Sequence, residues 1–153
     1  MSNGLPPDID DTTISDSEWL YIRVFPDRDS LIFDQTLQVF RPTTSALKSR
    51  EQPLSVDLGS ICTPEETRDR DKSFPFHVAA FTAATARRYG CRVVRDPIPK
   101  GQKEPENPAH ALVFGNHDSR SGGLIPNSQS RKIAHESHII CLNENAPRPQ
   151  GGV

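Results

Sequence analysis

The chain lacks any apolar run of the roughly 20 residues that a bilayer-spanning helix requires, and its longest apolar stretch, Ala109–Gly115, is strand-sized. Cysteine is scarce as well. Cys62, Cys91 and Cys141 are odd in number and widely spaced, which argues against a disulfide framework and against a Cys-x-x-Cys metal knuckle. Positive charge is missing from the first 18 residues, where Asp8, Asp10, Asp11, Asp16 and Glu18 stand without a single Lys or Arg and without the apolar segment of a secretory signal. These absences predict a cytoplasmic protein with reduced thiols and no membrane segment. Hydrophobic residues make up 34% and glycines number nine, short of the roughly 45–50% of average domains, so part of the chain is expected to lie outside the core. A length of 153 residues suits one domain.

The ends supply the excess. Residues 1–17 carry Leu5 and Ile14 as their large aliphatics apart from Ile9, too little to offset ordering entropy, and read as a disordered acidic arm. Residues 18–142 read as the folded domain, mildly basic although the whole chain has a net charge of −2. Residues 143–153, with two prolines and two glycines, read as a flexible tail.

Within the domain, Trp19–Phe25 is rich in aromatic and β-branched residues and ends at Pro26, a strand signature. Leu37–Arg41, Leu54–Leu58, Cys91–Arg95, Ala109–Gly115 and His138–Leu142 read as further strands. Thr43–Ser49 reads as a turn or short helix. Thr63-Pro64-Glu65-Glu66 is a helix start, with Thr63 as cap, Pro64 in the first helical position and Glu66 closing a capping box. Phe76–Phe81 runs into a small-residue helix that stops at Gly90, and residues 128–137 supply another helix. The proline-rich stretch up to Pro108 predicts an exposed loop, and residues 116–127 a second, longer one. Strands outnumber helices without alternating with them. The expectation is a single compact α+β domain with a mixed, mostly antiparallel sheet and two or three short helices.

Three constellations bear on chemistry. Along Leu54–Leu58 the period of two places Ser55 and Asp57 on one face, with Ser45 and His77 elsewhere in the same diffuse group. If His110 lies on the neighbouring strand, Asp57 could orient its imidazole for general acid–base work; the plainer reading is a structural His–Asp pair. His135 and His138 are spaced so that one helical face could present both to a metal, but further ligands would have to come from Asp57, His77 or His117, and no metal or other cofactor is expected. Between residues 85 and 103, Arg87, Arg88, Arg92, Arg95, Lys100 and Lys103 face Asp96 alone. Such a cluster, with Arg41, could attract a phosphate-bearing ligand, a nucleic acid or an acidic protein surface, or could pair with the acidic arm of its own chain. Only Tyr89 interleaves with it as a stacking platform, so nucleic acid is the least favoured. Ser121-Gly122-Gly123 lacks the Gly-Lys-Ser/Thr ending of a phosphate loop.

Gly115-Asn116-His117-Asp118 after an apolar strand is similar to one motif of the calcineurin-like metallophosphoesterases. That resemblance implies a metal at Asn116 and phosphate contact by His117. It covers four residues, and the Asp-x-His, Gly-Asp-x-x-Asp and Gly-His-x-His strings of that family do not occur in this chain.

A broader resemblance runs through Leu54-Ser55-Val56-Asp57-Leu58, the Thr-Pro-Glu-Glu helix start, Phe81-Thr82-Ala83, Asp96-Pro97-Ile98-Pro99 and Glu106-Asn107-Pro108-Ala109-His110-Ala111-Leu112-Val113. These segments resemble a set of small stand-alone bacterial proteins without an assigned activity, over roughly residues 19–114, with Lys100–Pro105 as an insertion. The resemblance implies a bacterial, cytoplasmic source and transfers no residue role. With no complete catalytic or metal motif, the expected function is that of an accessory or interaction protein acting with a separately encoded protein partner. The alternative is a small hydrolase or transferase for a phosphate- or nucleotide-bearing substrate, with Asp57 and His110 as acid–base pair and Arg41, Arg92 or Arg95 holding the anion.

Overall fold

The computed structural model of the chain describes residues 9–47, 53–115 and 124–147. Eight strands form: β1 (Trp19–Val24), β2 (Leu31–Asp34), β3 (Val39–Pro42), β4 (Leu54–Leu58), β5 (His77–Thr82), β6 (Arg92–Arg95), β7 (His110–Phe114) and β8 (His138–Cys141). Helices α1 (Pro64–Asp69), α2 (Ala83–Arg88) and α3 (Asn127–His135) join them, with a 3-10 turn at Thr44–Leu47. Six strands make one sheet in the order β6-β7-β4-β1-β5-β8, and β2 and β3 form a separate hairpin. Every registered pair is antiparallel, so the α+β class with a mostly antiparallel sheet holds.

Alternation along the strands decides what each face buries. Leu20, Ile22 and Val24 of β1, Val56 and Leu58 of β4, Ala79 and Phe81 of β5, and Ala111 and Val113 of β7 join one core with Ala83 and Ala86 of α2 and Ile133 and Ala134 of α3. The opposite face holds a smaller apolar cluster of Val94, Leu112 and Phe114 and is capped by α1, which packs on β1, β5 and β8. That second face carries Asp57.

Local chemistry sets the helix ends. Thr63 Oγ1 accepts from Glu66 N at 3.1 Å while Glu66 Oε1 accepts from Thr63 N at 3.0 Å, the reciprocal box written in Thr-Pro-Glu-Glu. Thr82 Oγ1 caps α2 by accepting from Thr85 N alone, and Gly90 beyond its end adopts φ 85°, a left-handed backbone open to glycine at little cost.

The structure differs from the sequence reading in strand β2, which was not expected, and at three further places. The arm expected to be disordered is packed over residues 9–17: Ile14 is 1% exposed in the main core, and Asp11 N donates to Val93 O at 2.9 Å along the outer edge of β6. The composition argument weighed only apolar area and missed the open strand edge that gives this segment backbone partners. The tail expected to be flexible from residue 143 is likewise anchored at its start, where Asn143 is buried and a turn closes with Ala146 N donating to Asn143 O at 3.0 Å. The proline-rich loop is not exposed throughout, because Asn107 is buried and bridges to Ile98 by two backbone hydrogen bonds of 2.8 and 2.9 Å. Residues 1–8, 48–52, 116–123 and 148–153 lie outside the described residues, and with them the end of the expected Thr43–Ser49 turn, Asn116, His117 and most of the second expected loop.

Candidate functional site

Asp57 and His110 stand opposite one another in the β4–β7 register, as the acid–base reading required. Their side chains are nevertheless engaged elsewhere. Asp57 is 5% exposed beneath α1. Its Oδ2 accepts from Thr67 Oγ1 and from Arg70 Nε, each at 2.8 Å, and its Oδ1 accepts from Asn107 Nδ2 at 2.8 Å. His110 Nδ1 lies 2.9 Å from the carbonyl oxygen of Asp96 and 3.2 Å from Asp96 Oδ2. The carboxylate beside the imidazole is thus that of Asp96, at the end of β6, and the pair ties the proline-rich loop to β7.

Electrostatics agree with a charged, committed Asp57. Burial pushes its proton affinity up, but the hydrogen bonds from Arg70, Asn107 and Thr67 outweigh that and hold the carboxyl below its ordinary value. Three donors fill three of the roughly four lone-pair sites of the carboxylate, so little of it is left to take a proton from a substrate. The arrangement joins three segments remote in sequence: α1 and its end through Thr67 and Arg70, the sheet through Asp57, and the proline-rich loop through Asn107. Asn107 Oδ1 then accepts from Ala109 N at 3.1 Å, setting the entry into β7.

Each arginine expected to hold an anion has a partner within the chain. Arg87 Nε donates to Asp10 Oδ1 at 3.1 Å, Nη1 to Asp16 Oδ1 at 2.7 Å, and Nη2 to the carbonyls of Asp11 and Ile14 at 3.1 and 2.8 Å. Arg95 Nε reaches Thr13 Oγ1 at 3.2 Å and Asp11 Oδ2 at 3.6 Å. Arg88 Nη1 donates to Glu136 Oε1 at 2.7 Å, and Arg92 donates to the carbonyl of Gly115. Arg41 lies on the separate hairpin and pairs with Asp34 at 3.3 Å. The acidic arm thus engages two members of the cluster, Arg87 and Arg95.

Glu136, between the two histidines of the metal reading, is held by Arg88 and Tyr89. Among the described residues no group of three or more His, Cys, Asp or Glu is placed to hold a metal ion. All three cysteines are buried and unpaired. Burial pushes the Cys91 thiol up to about 11, and Cys62 and Cys141 also rise through burial, so none is primed as a thiolate.

One feature escaped the sequence. Phe25, Phe74 and Phe76 form an aromatic cluster with ring centroids 5.3, 5.0 and 5.7 Å apart, and the Arg23 guanidinium sits 5.5 Å over Phe76. Phe25 is 47% exposed and Phe74 51%. Phe74 also lines an open cavity of about 510 Å³ between the end of α1 and the turn at Asn143–Asn145. The only signal in the string was three phenylalanines near strand ends, which core packing explains as readily. His77, grouped with Asp57 in the sequence reading, is buried at the start of β5 on the opposite face of the sheet.

No helix among the described residues is long and apolar enough to cross a membrane. No protein-family model matches the chain, and no curated protein or solved structure matches it.

Proposed function

We propose that the chain is a cytoplasmic accessory protein that works by binding a separately encoded protein partner, with Phe25 and Phe74 at the contact. The observation that carries this reading is the aromatic cluster. Two phenylalanines about half exposed, braced by Phe76 and a stacked Arg23, offer water a rigid apolar area. Aromatic and arginine side chains dominate binding energy at protein interfaces, and rings already held against one another lose little freedom on docking. Three buried, unpaired cysteines support a reducing compartment. The acid–base alternative has less support, because Asp57 and His110 each serve other partners. Nucleic-acid binding through residues 85–103 has less as well, because Arg87, Arg88 and Arg95 hold carboxylates of their own chain.

The test is recovery of the tagged full-length chain from the cells that make it. A partner at fixed stoichiometry should co-elute with the parent and with His110→Ala and be lost from the Phe25→Ser/Phe74→Ser double variant, whose circular dichroism should match the parent's. Equal recovery with the double variant contradicts the proposed contact.

A further inference from the structure

His77 occupies the first position of β5, opposite Val24 of β1, and is 1% exposed on the core face. Its Nδ1 accepts from Asn143 N at 2.9 Å. That bond fixes the neutral tautomer with hydrogen on Nε2, and Nε2 is buried without a partner among the described residues. Asn143 is the first residue of a tight turn: its Oδ1 accepts from Asn145 N at 2.9 Å and its carbonyl from Ala146 N. Asn143, Glu144 and Asn145 form one wall of the cavity of about 510 Å³, against Arg68, Lys72 and Phe74 on the other side. The imidazole therefore ties the sheet to the turn that lines that cavity.

We propose that His77 is a pH-sensitive pin, whose protonation releases the Asn143–Ala146 turn and opens the cavity beside Phe74. The proton comes from solvent and binds the Nδ1 lone pair, so the ring turns from acceptor to donor exactly where Asn143 N–H already points. Two donors then face each other, and the imidazolium has no buried acceptor on either nitrogen. The turn is the element that yields, because its remaining backbone bonds are local whereas His77 is held in the β1–β5 ladder. Burial lowers the ring's proton affinity, which places the transition on the acid side of ordinary histidine. The titratable groups on the flanking strands and the turn are Tyr21 and Arg23 of β1, His138 and Cys141 of β8 and Glu144 of the turn, and burial alone shifts the ring. The four on the strands lie on the opposite face by strand alternation. Of the helices packed on β5, α1 carries Glu65, Glu66, Arg68 and Asp69 over that opposite face, and α2 carries Arg87 and Arg88, which hold Asp10, Asp16 and Glu136.

Amide hydrogen exchange and histidine titration by NMR on the full chain, between pH 8 and pH 4.5, test this without any partner. Asn143 N–H should lose at least tenfold of its protection, corrected for intrinsic exchange, with the same midpoint as the His77 ring, while Leu20, Val56 and Val113 keep theirs. In His77→Leu, Asn143 should be poorly protected and independent of pH. If that variant does not fold, the titration of the parent protein decides alone. Unchanged Asn143 protection as His77 titrates overturns the proposal, as does a ring that does not titrate in this range or a simultaneous loss of protection across the sheet.

Discussion

Asp57 and His110 are directly paired in the β4–β7 register, yet each makes its hydrogen bonds with a different residue, Asp57 with Arg70, Thr67 and Asn107, and His110 with Asp96. Adjacency in a sheet brings two functional groups within reach; the surrounding donors decide whether they act together.

The buried carboxylate should be costly to remove. Asp57→Ala leaves Arg70 without its counter-charge and Asn107 and Thr67 without their acceptor, and is expected to cost about 3–5 kcal/mol in urea unfolding. Asn107→Ala, which removes one hydrogen bond to the carboxylate and one to Ala109, should cost about 1–3 kcal/mol. His110→Ala should cost less than either.

Acid sensitivity follows from the same site. The folded Asp57 carboxyl lies below its unfolded value of about 3.9, so the unfolded chain takes up the proton first as pH falls. The contribution is complete above that value and is lost as pH falls through the lower, folded one. Urea midpoints measured from pH 6 downward should fall below about pH 4, and Asp57→Asn should remove that part of the slope.

The segment at residues 9–17 should behave as part of the domain. Ile14→Ala is expected to cost about 2–5 kcal/mol, as for an aliphatic side chain removed from a core. Arg87→Ala should leave residues 9–17 open to protease while the sheet stays folded, because four hydrogen bonds to that segment are lost together. Asp16→Ala alone should cost no more than about 1 kcal/mol, since that carboxylate is largely exposed.

Thr63→Ala removes the acceptor for Glu66 N and should cost about 1 kcal/mol, whereas Gly90→Ala forces a side chain into left-handed backbone and should cost about 1–2 kcal/mol. Thermal unfolding of both variants against the parent is the check.

The sequence was legible where structure depends on neighbours in the chain. Thr63 and Glu66 are three residues apart and their box formed; Leu54–Leu58 alternates and its two faces separated as the period of two requires. Strand β2 was missed because the turn after it carries no glycine or proline. Asp34 Oδ1 instead accepts from Thr36 N and Leu37 N, and Gln38 takes φ 58°. The site was less legible, since the partners of Asp57 lie 10, 13 and 50 residues away and no local pattern selects among the donors a fold brings together. The pairing of Arg87 with Asp10 spans 77 residues, and charge alone did not decide between an internal and an external partner.

The most direct test of the binding reading is a photo-crosslinking phenylalanine analogue placed at Phe74 in the full chain and activated in living cells. The account predicts one discrete protein adduct from position 74, with none from the same analogue at Leu37, an exposed apolar site on the separate hairpin. Adducts of equal pattern from both positions, or none from position 74, would contradict it.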